Sequence, residues 1–352
     1  MKEKSIKKHK WNMSTVPFTE EELKADERPS VLFVGIFSKV YDSTYIVNSF
    51  EEAGYQCESF DWQKVRFVEG LAGMLDRLIG KAKMMKPDII FMQIQNPDVL
   101  LVDAAKELSK KSFVINYTFD VRNSIDWYKE IAPHVGLTLF GDKQSVMELR
   151  KEGIENVEYL SCAADYGLYR KLEVRERTSE FGDVVFIGNN TVGSALNFPR
   201  AQERVDMIEF MRKQFGDRFK AYGTNWGINS SVVYPHMEVL IYNSAQVAIT
   251  HNHFLRSGYQ SDRALRSMGC NCYTIAQYYP EINKDFNPTV LATWLDFEML
   301  AEETEKALSN DERRKMIADN GYEWVRENHS WKKRIEQLKG LIEKYRIHEP
   351  QS

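Results

Sequence analysis

Beyond residue 30, short and almost uniformly apolar runs alternate with stretches whose apolar residues recur every three or four positions. The runs are VLFVGIF (31–37), YQCESF (55–60), DIIFMQI (88–94), SFVINYT (112–118), VGLTLF (135–140) and VEYL (157–160). A strand buried on both faces of a parallel sheet needs this near-continuous apolar character. Between the runs, Ser43 caps a helix whose inner face is Ile46, Val47 and Phe50 and whose stop is Gly54. A helix around 70–85 carries Leu71, Leu75, Leu78 and Ile79 at helical spacing. Others fall near 99–110, near Ile125, and from Asp142 to Lys151, where Gly153 ends the last. The alternation predicts an α/β fold with a doubly wound parallel sheet.

The polar stretch 161–182 interrupts this pattern, and a second series begins after it. Its parts are DVVFIG (183–188), the loop GNNTVGS, a helix over 201–213, and the strand RFKAYG (218–223). The segment 246–280 then gives a strand (Val247–Thr250), a polar loop, a helix opened by Ser261 and Asp262 and closed by Gly269, and another strand. Two helices, 311–329 and 330–345, close the chain. These shifts divide it into a polar tail (1–29), a first domain (30–165), a linker (166–182), a second domain (183–330), and a final helix with its tail (331–352).

Composition narrows the class. At 352 residues, 43% apolar and 28% charged, the chain can bury two cores and is not compositionally disordered. A formal charge of −4 does not mark a general polyanion binder, although five lysines fall in the first ten residues, where they suit a solvated tail or phosphate contacts. Cys57, Cys162, Cys270 and Cys272 are too few and scattered for a disulfide framework, and read as reduced core thiols of a cytoplasmic protein. Neither a membrane-spanning run nor the apolar segment of a signal peptide is present in the sequence.

The candidate chemistry gathers after the strands. In an open parallel sheet, ligands sit beyond the strands' carboxyl ends, where helix N-termini favour anions. Arg256, Arg263 and Arg266 cluster around the helix opened by Ser261, which implies a phosphorylated ligand. His251 and His253 fit a polar lining of that cleft; no third ligand of matching character makes them a metal site. Tyr222, Trp226 and Tyr234 suit either stacking on a ligand or burial between helices.

Four features together resemble nucleotide-sugar glycosyltransferases with two Rossmann-like domains facing across a cleft (GT-B), in particular the spore-maturation CgeB-like group. They are the opening VLFVGIF, the domain-ending NVEYLSCAADYGLYRK, the re-start DVVFIGNN, and SDRALRSMGCNCYT followed by Tyr279-Pro280-Glu281 and NHSWKKRIEQL. The resemblance covers most of residues 30–345. It implies a donor held mainly by the second domain, an acceptor on the first, a last helix crossing back to the first domain, and a metal-free mechanism. No cofactor is expected beyond the nucleotide-sugar co-substrate, UDP-sugar being favoured. It assigns donor binding to Gly188, Asn189, Asn190, His251, Arg256, Ser261, Asp262, Arg263 and Arg266, with Arg263 as the diphosphate ligand. Arg266 departs from the pattern, since related sequences commonly carry there an acid for the ribose hydroxyls. Asp262, four residues earlier, shares its helix face.

An inverting transferase needs a base for the acceptor hydroxyl. Asp120, just past SFVINYT, is the first candidate and Asp42 the second, each also suited to capping a helix or forming a turn. The acceptor stays open among a protein, a small metabolite, a glycan and a hydroxymethylated DNA base, so nucleic acid is one partner to test. The sequence leaves oligomeric state unassigned. A non-catalytic assembly protein on the same fold, or a nucleotide-sugar epimerase, are the competing readings.

Overall fold

A computed structural model describes residues 28–96, 98–173, 179–227 and 230–346. The N-terminal lysines and part of the linker lie outside these residues. Six parallel strands form the first sheet: β1 (Ser30–Gly35), β2 (Gln56–Asp61), β3 (Ile89–Met92), β4 (Phe113–Thr118), β5 (Leu137–Phe140) and β6 (Val157–Tyr159), in the order β2-β1-β3-β4-β5-β6. Five more form the second: β7 (Val184–Ile187), β8 (Phe219–Tyr222), β9 (Val247–Thr250), β10 (Tyr273–Gln277) and β11 (Ala292–Trp294), in the order β11-β10-β9-β7-β8. Every ladder in both sheets is parallel. The central strands β3, β4, β7, β9 and β10 are buried along their whole length, as their apolar sequences require. The strand order reverses between β1 and β3 in one sheet and between β7 and β9 in the other, and each reversal leaves a crevice beyond the carboxyl ends.

Several local expectations need correction. The helix placed at 70–85 starts at Trp62, with the Asp61 side chain accepting from Lys64 N–H, and is broken at Gly70, where φ is +74°. Ser43 does not cap the Thr44–Glu52 helix; it is buried, and Asp42 Oδ1 accepts from the Thr44 N–H at 3.0 Å instead. The helices Pro235–Ser244 and Phe297–Ser309 and strand β11 have no counterpart in the sequence reading. Cys270 and Cys272 immediately precede β10, and all four cysteines are buried thiols outside any disulfide. No helix among the described residues is long and apolar enough to cross a membrane.

The last helix, Trp331–Arg346, fixes how the domains sit. Trp331, Ile335, Leu338 and Ile342 recur on one face and join the core of Phe33, Phe91, Ile115 and Tyr117 in the first domain. Arg334, 3% exposed, donates to the carbonyls of Ser161, Cys162 and Asn328 and to His329 Nδ1 at 2.9 Å. His329 Nδ1 also faces the Gln260 amide nitrogen at 3.2 Å, so a loop of the second domain is tied to the same hub. That loop docks on the first domain through Lys143 N–H to Ser257 O (2.9 Å) and Tyr159 Oη–H to Gly258 O (2.9 Å). At Gly258, φ is +73° and an added Cβ would stand 3.2 Å from the Tyr159 ring, which admits glycine and little else.

The hub needs a neutral His329. Burial first, and then Arg334, depress its pKa to about 3. Because the unfolded imidazole titrates near about 6.5, the stabilisation is complete above that pH and is lost as pH falls toward the folded value, by up to about 1.4 kcal/mol per unit. Urea unfolding followed from about pH 7.5 to about pH 4.5 will show a shallower decline for His329→Gln than for the native chain. Equal slopes would remove His329 from the account.

Candidate active site

A cavity of about 340 Å³ opens between the domains at the carboxyl ends of the first sheet. Ile36 and Tyr41 follow β1, Trp62 and Gln63 follow β2, Gln93, Gln95 and Asn96 follow β3, and Phe119, Asp120 and Arg122 follow β4. Asp262, Arg263 and Arg266, on the helix Asp262–Gly269, close it from the second domain. Ser261 caps that helix, its hydroxyl oxygen facing Arg263 N and Nη1, each at 3.3 Å. The free N–H groups and the positive end of the helix dipole thus sit beside the Arg263 guanidinium.

Two glycines make room for that arginine. A Cβ on Gly188 would meet the Phe186 ring at 3.0 Å and Arg263 Nε at 3.6 Å, so Arg263 lies against the end of β7. Gly223, with φ +131°, brings the turn after β8 onto Gly188, where a Cβ would stand 2.4 Å from the carbonyl oxygen. Asn189 and Asn190 are partly committed to this turn: Asn189 Oδ1 accepts from Thr224 N–H at 3.0 Å, and the Asn190 amide donates to Asn225 O at 3.2 Å. Arg263 has no carboxylate within ion-pair distance among the described residues, whereas Arg256 and Arg266 do.

Arg266 sits between two acids. Its guanidinium meets Asp262 Oδ2 at 2.6 Å and Glu238 Oε2 at 3.0 Å, and lies over the Tyr169 ring. The Tyr169 hydroxyl donates to the same Glu238 carboxylate at 2.6 Å. Burial disfavours the cation, but Asp262 and Glu238 together raise its pKa further above the ordinary range. The unforeseen helix Pro235–Ser244 thus brings a second carboxylate to Arg266. A second cavity, of about 290 Å³, adjoins this group; Tyr41, Asp262 and Arg266 line both cavities, and Asp42, Tyr45, Asp165 and Tyr169 line the second.

The two candidate bases differ in their freedom. Asp42 Oδ1 is held by the Thr44 hydroxyl and N–H at 2.6 and 3.0 Å, so the turn uses its carboxylate. Asp120 is open to the cleft, and its backbone is fixed by Gln95 Oε1 accepting the Asp120 N–H at 3.3 Å. Desolvation between the cleft walls raises its pKa; Asp262 adds to the shift, while Arg122, Arg263 and Arg266 oppose it.

Two residues assigned to the donor, His251 and Arg256, are not among those lining the cavity. The His251 side chain has no exposed surface; its Nδ1 accepts from Arg204 Nε at 3.4 Å, and Nε2 lies 3.7 Å from Glu203. Burial lowers its pKa to about 4, so it serves as a neutral support. Arg256 spans the domain boundary instead, donating to Ser145 Oγ at 3.1 Å beside Asp142 and Glu148. His253 stacks on Phe198 and contacts Thr191 Oγ1 at 3.3 Å. Among the described residues no three His, Cys, Asp or Glu side chains gather as a metal site.

Arg204 was missed by the sequence reading. It is 2% exposed, donates to the carbonyls of Asn189 (3.0 Å) and His251 (3.1 Å), and so pins the two loops that flank Arg263. Burial, followed by Arg263, lowers its pKa to about 9.

Comparison with known proteins agrees with this geometry. Residues 202–340 match the family model described as Glycosyl transferase-like. The fold is similar to a sucrose-phosphate synthase from Thermosynechococcus elongatus (11% identity, TM-score 0.62, covering 91% of this chain and 100% of that one). It is likewise similar to HepE from Anabaena solved with UDP-glucose (11% identity, TM-score 0.58, 90% and 99% covered). A third likeness is to a trehalose 6-phosphate synthase from Burkholderia multivorans (10% identity, TM-score 0.59, 91% and 99% covered). No curated protein matches by sequence. The second domain thus carries a glycosyl transferase-like sequence, and the whole chain has the two-domain GT-B fold.

Arg266→Ala would leave Asp262 and Glu238 facing each other in a largely dry site, and is expected to cost about 3 kcal/mol in urea unfolding. Adding Glu238→Gln should recover a substantial part of that loss. Strictly additive losses would show that the pair does not act as a unit.

Proposed function

We propose that this protein is a glycosyltransferase of the CgeB-like group that moves a sugar from a nucleoside diphosphate donor, UDP-sugar being favoured, to an acceptor hydroxyl. The observation that carries the reading is Arg263, a cation without a carboxylate partner among the described residues, beside a capped helix N-terminus and against the glycine turn at Gly188. A diphosphate leaving group needs fixed positive charge where its own charge develops, and this arrangement supplies it without a metal. The likeness of the fold to HepE, solved in complex with UDP and with UDP-glucose, supports the choice of nucleotide. The two acids around Arg266, Asp262 and Glu238, supply oxygen acceptors beside the second cavity, where the ribose hydroxyls would lie.

In this reading Asp120 is the base. The acceptor hydroxyl gives its proton to the Asp120 carboxylate, its oxygen bonds to the anomeric carbon, and the bond from that carbon to the diphosphate oxygen breaks, its electron pair leaving with the nucleoside diphosphate. The raised pKa of Asp120 brings a carboxylate closer to the range in which a base works at neutral pH.

Calorimetric titration with UDP should show Arg263→Ala binding at least about tenfold more weakly, the loss of one charge-assisted hydrogen bond or more. Unchanged affinity would remove Arg263 from the donor site. Asp120→Asn is expected to lower kcat about 100-fold or more. The native rate should rise with pH through a pKa above the usual carboxylate range, and that limb should vanish in the variant. A variant that keeps the rate and the limb would assign the base elsewhere.

A further inference from the structure

Three buried hydrogen-bond donors on the first-domain wall of the larger cavity lack a partner among the described residues. Trp62 and Gln93 are each 4% exposed, and neither Trp62 Nε1–H nor the Gln93 Nε2 group meets an acceptor. Arg122 Nε–H is in the same state. Gln95, half-buried beside them, adds an amide whose Oε1 receives the Thr118 hydroxyl at 3.0 Å, the Asp120 N–H at 3.3 Å and Arg122 Nη2 at 3.4 Å. All four residues line the one cavity. Each unmet buried donor costs about 1–3 kcal/mol, so their convergence fits a ligand rich in acceptor oxygens.

The character of the wall selects among such ligands. It carries one cation, Arg122, and one carboxylate, Asp120, amid amide and aromatic side chains. A nucleic acid backbone would call for several cations, and an apolar acceptor for a lining without unmet donors. A sugar matches: its hydroxyls both donate and accept, as do amides, and its C–H faces suit aromatic rings such as the stacked pair Tyr41 and Phe119. The volume of about 340 Å³ is at the small end of ligand sites, which run from roughly 300 to 1,000 Å³.

We propose that this wall is the acceptor subsite and that the acceptor is a carbohydrate of one or two residues, held by Trp62, Gln93 and Gln95 with the reacting hydroxyl at Asp120. This rests on the transferase reading above.

The test is saturation-transfer NMR on the full chain with a panel of free mono- and disaccharides, run beside UDP, followed by turnover with UDP-sugars and any saccharide that binds. At least one saccharide should bind and accept sugar. Trp62→Phe, which keeps the ring and removes the N–H, should raise the KM for that saccharide at least tenfold, and by more than it changes the KM for the donor. Gln93→Leu gives the same readout if Trp62→Phe does not fold. UDP binding with no saccharide binding overturns the acceptor assignment while leaving the transferase reading intact. So does sugar transfer to an oligonucleotide containing a hydroxymethylated pyrimidine, with no saccharide accepted. Failure of every nucleoside diphosphate to bind overturns both.

Discussion

Everything at the cleft depends on the guanidinium of Arg334. It is buried at the domain junction and, among the described residues, meets no carboxylate there; its donors go to three carbonyls, to Gln337 Oε1 and to a neutral imidazole. Planar, multiply donating arginine suits such a junction in a way lysine would not, since its geometry fixes several backbone groups at once. The connector at Ser161 and Cys162, the final helix, and through His329 the Gln260 loop are held in one register. Gln260 immediately precedes the Ser261 cap, so the hub sets where the Arg263 helix points.

From that alignment follows a division of labour. The second domain presents a helix N-terminus, Arg263 and a glycine turn, with Arg204 and His251 buried beneath as scaffolding. The first domain presents Asp120 and a wall of amides and aromatics. Arg266, one helical turn beyond Asp262, is spent on Asp262 and Glu238. That leaves Arg263 at the helix end without a carboxylate partner among the described residues, the feature on which the proposed diphosphate site rests.

The legible part of the fold was the part governed by continuous burial. Strands such as Phe113–Thr118 and Val247–Thr250 are apolar because both faces are covered, and the helix stops at Gly54 and Gly153 are backbone requirements, with φ +89° and +81°. The helix Pro235–Ser244 was hidden because it buries Glu238 along with Val239, Ile241 and Tyr242, which blurs any amphipathic period. The helix Phe297–Ser309 did leave a signal, an Asp296 cap followed by Leu300, Thr304 and Ala307 on one face. At the cavity, the placement of the Ser261 cap, Asp262 and Arg263 was legible because position after a strand predicts it. Arg204 was not, because a single arginine in an otherwise ordinary helix reads as solvated until its acceptors, carbonyls from distant loops, are seen. The surroundings of His251 and Arg256 were not legible for the same reason, since their partners lie 47 and 111 residues away.

The most direct test of the central claim is a crystal structure of the protein with UDP. The account predicts the diphosphate at the N-terminus of the Asp262–Gly269 helix, within hydrogen-bond reach of Arg263 and the backbone around Gly188, with the ribose toward Asp262 and Glu238. A diphosphate bound elsewhere, with Arg263 left in solvent, would contradict it.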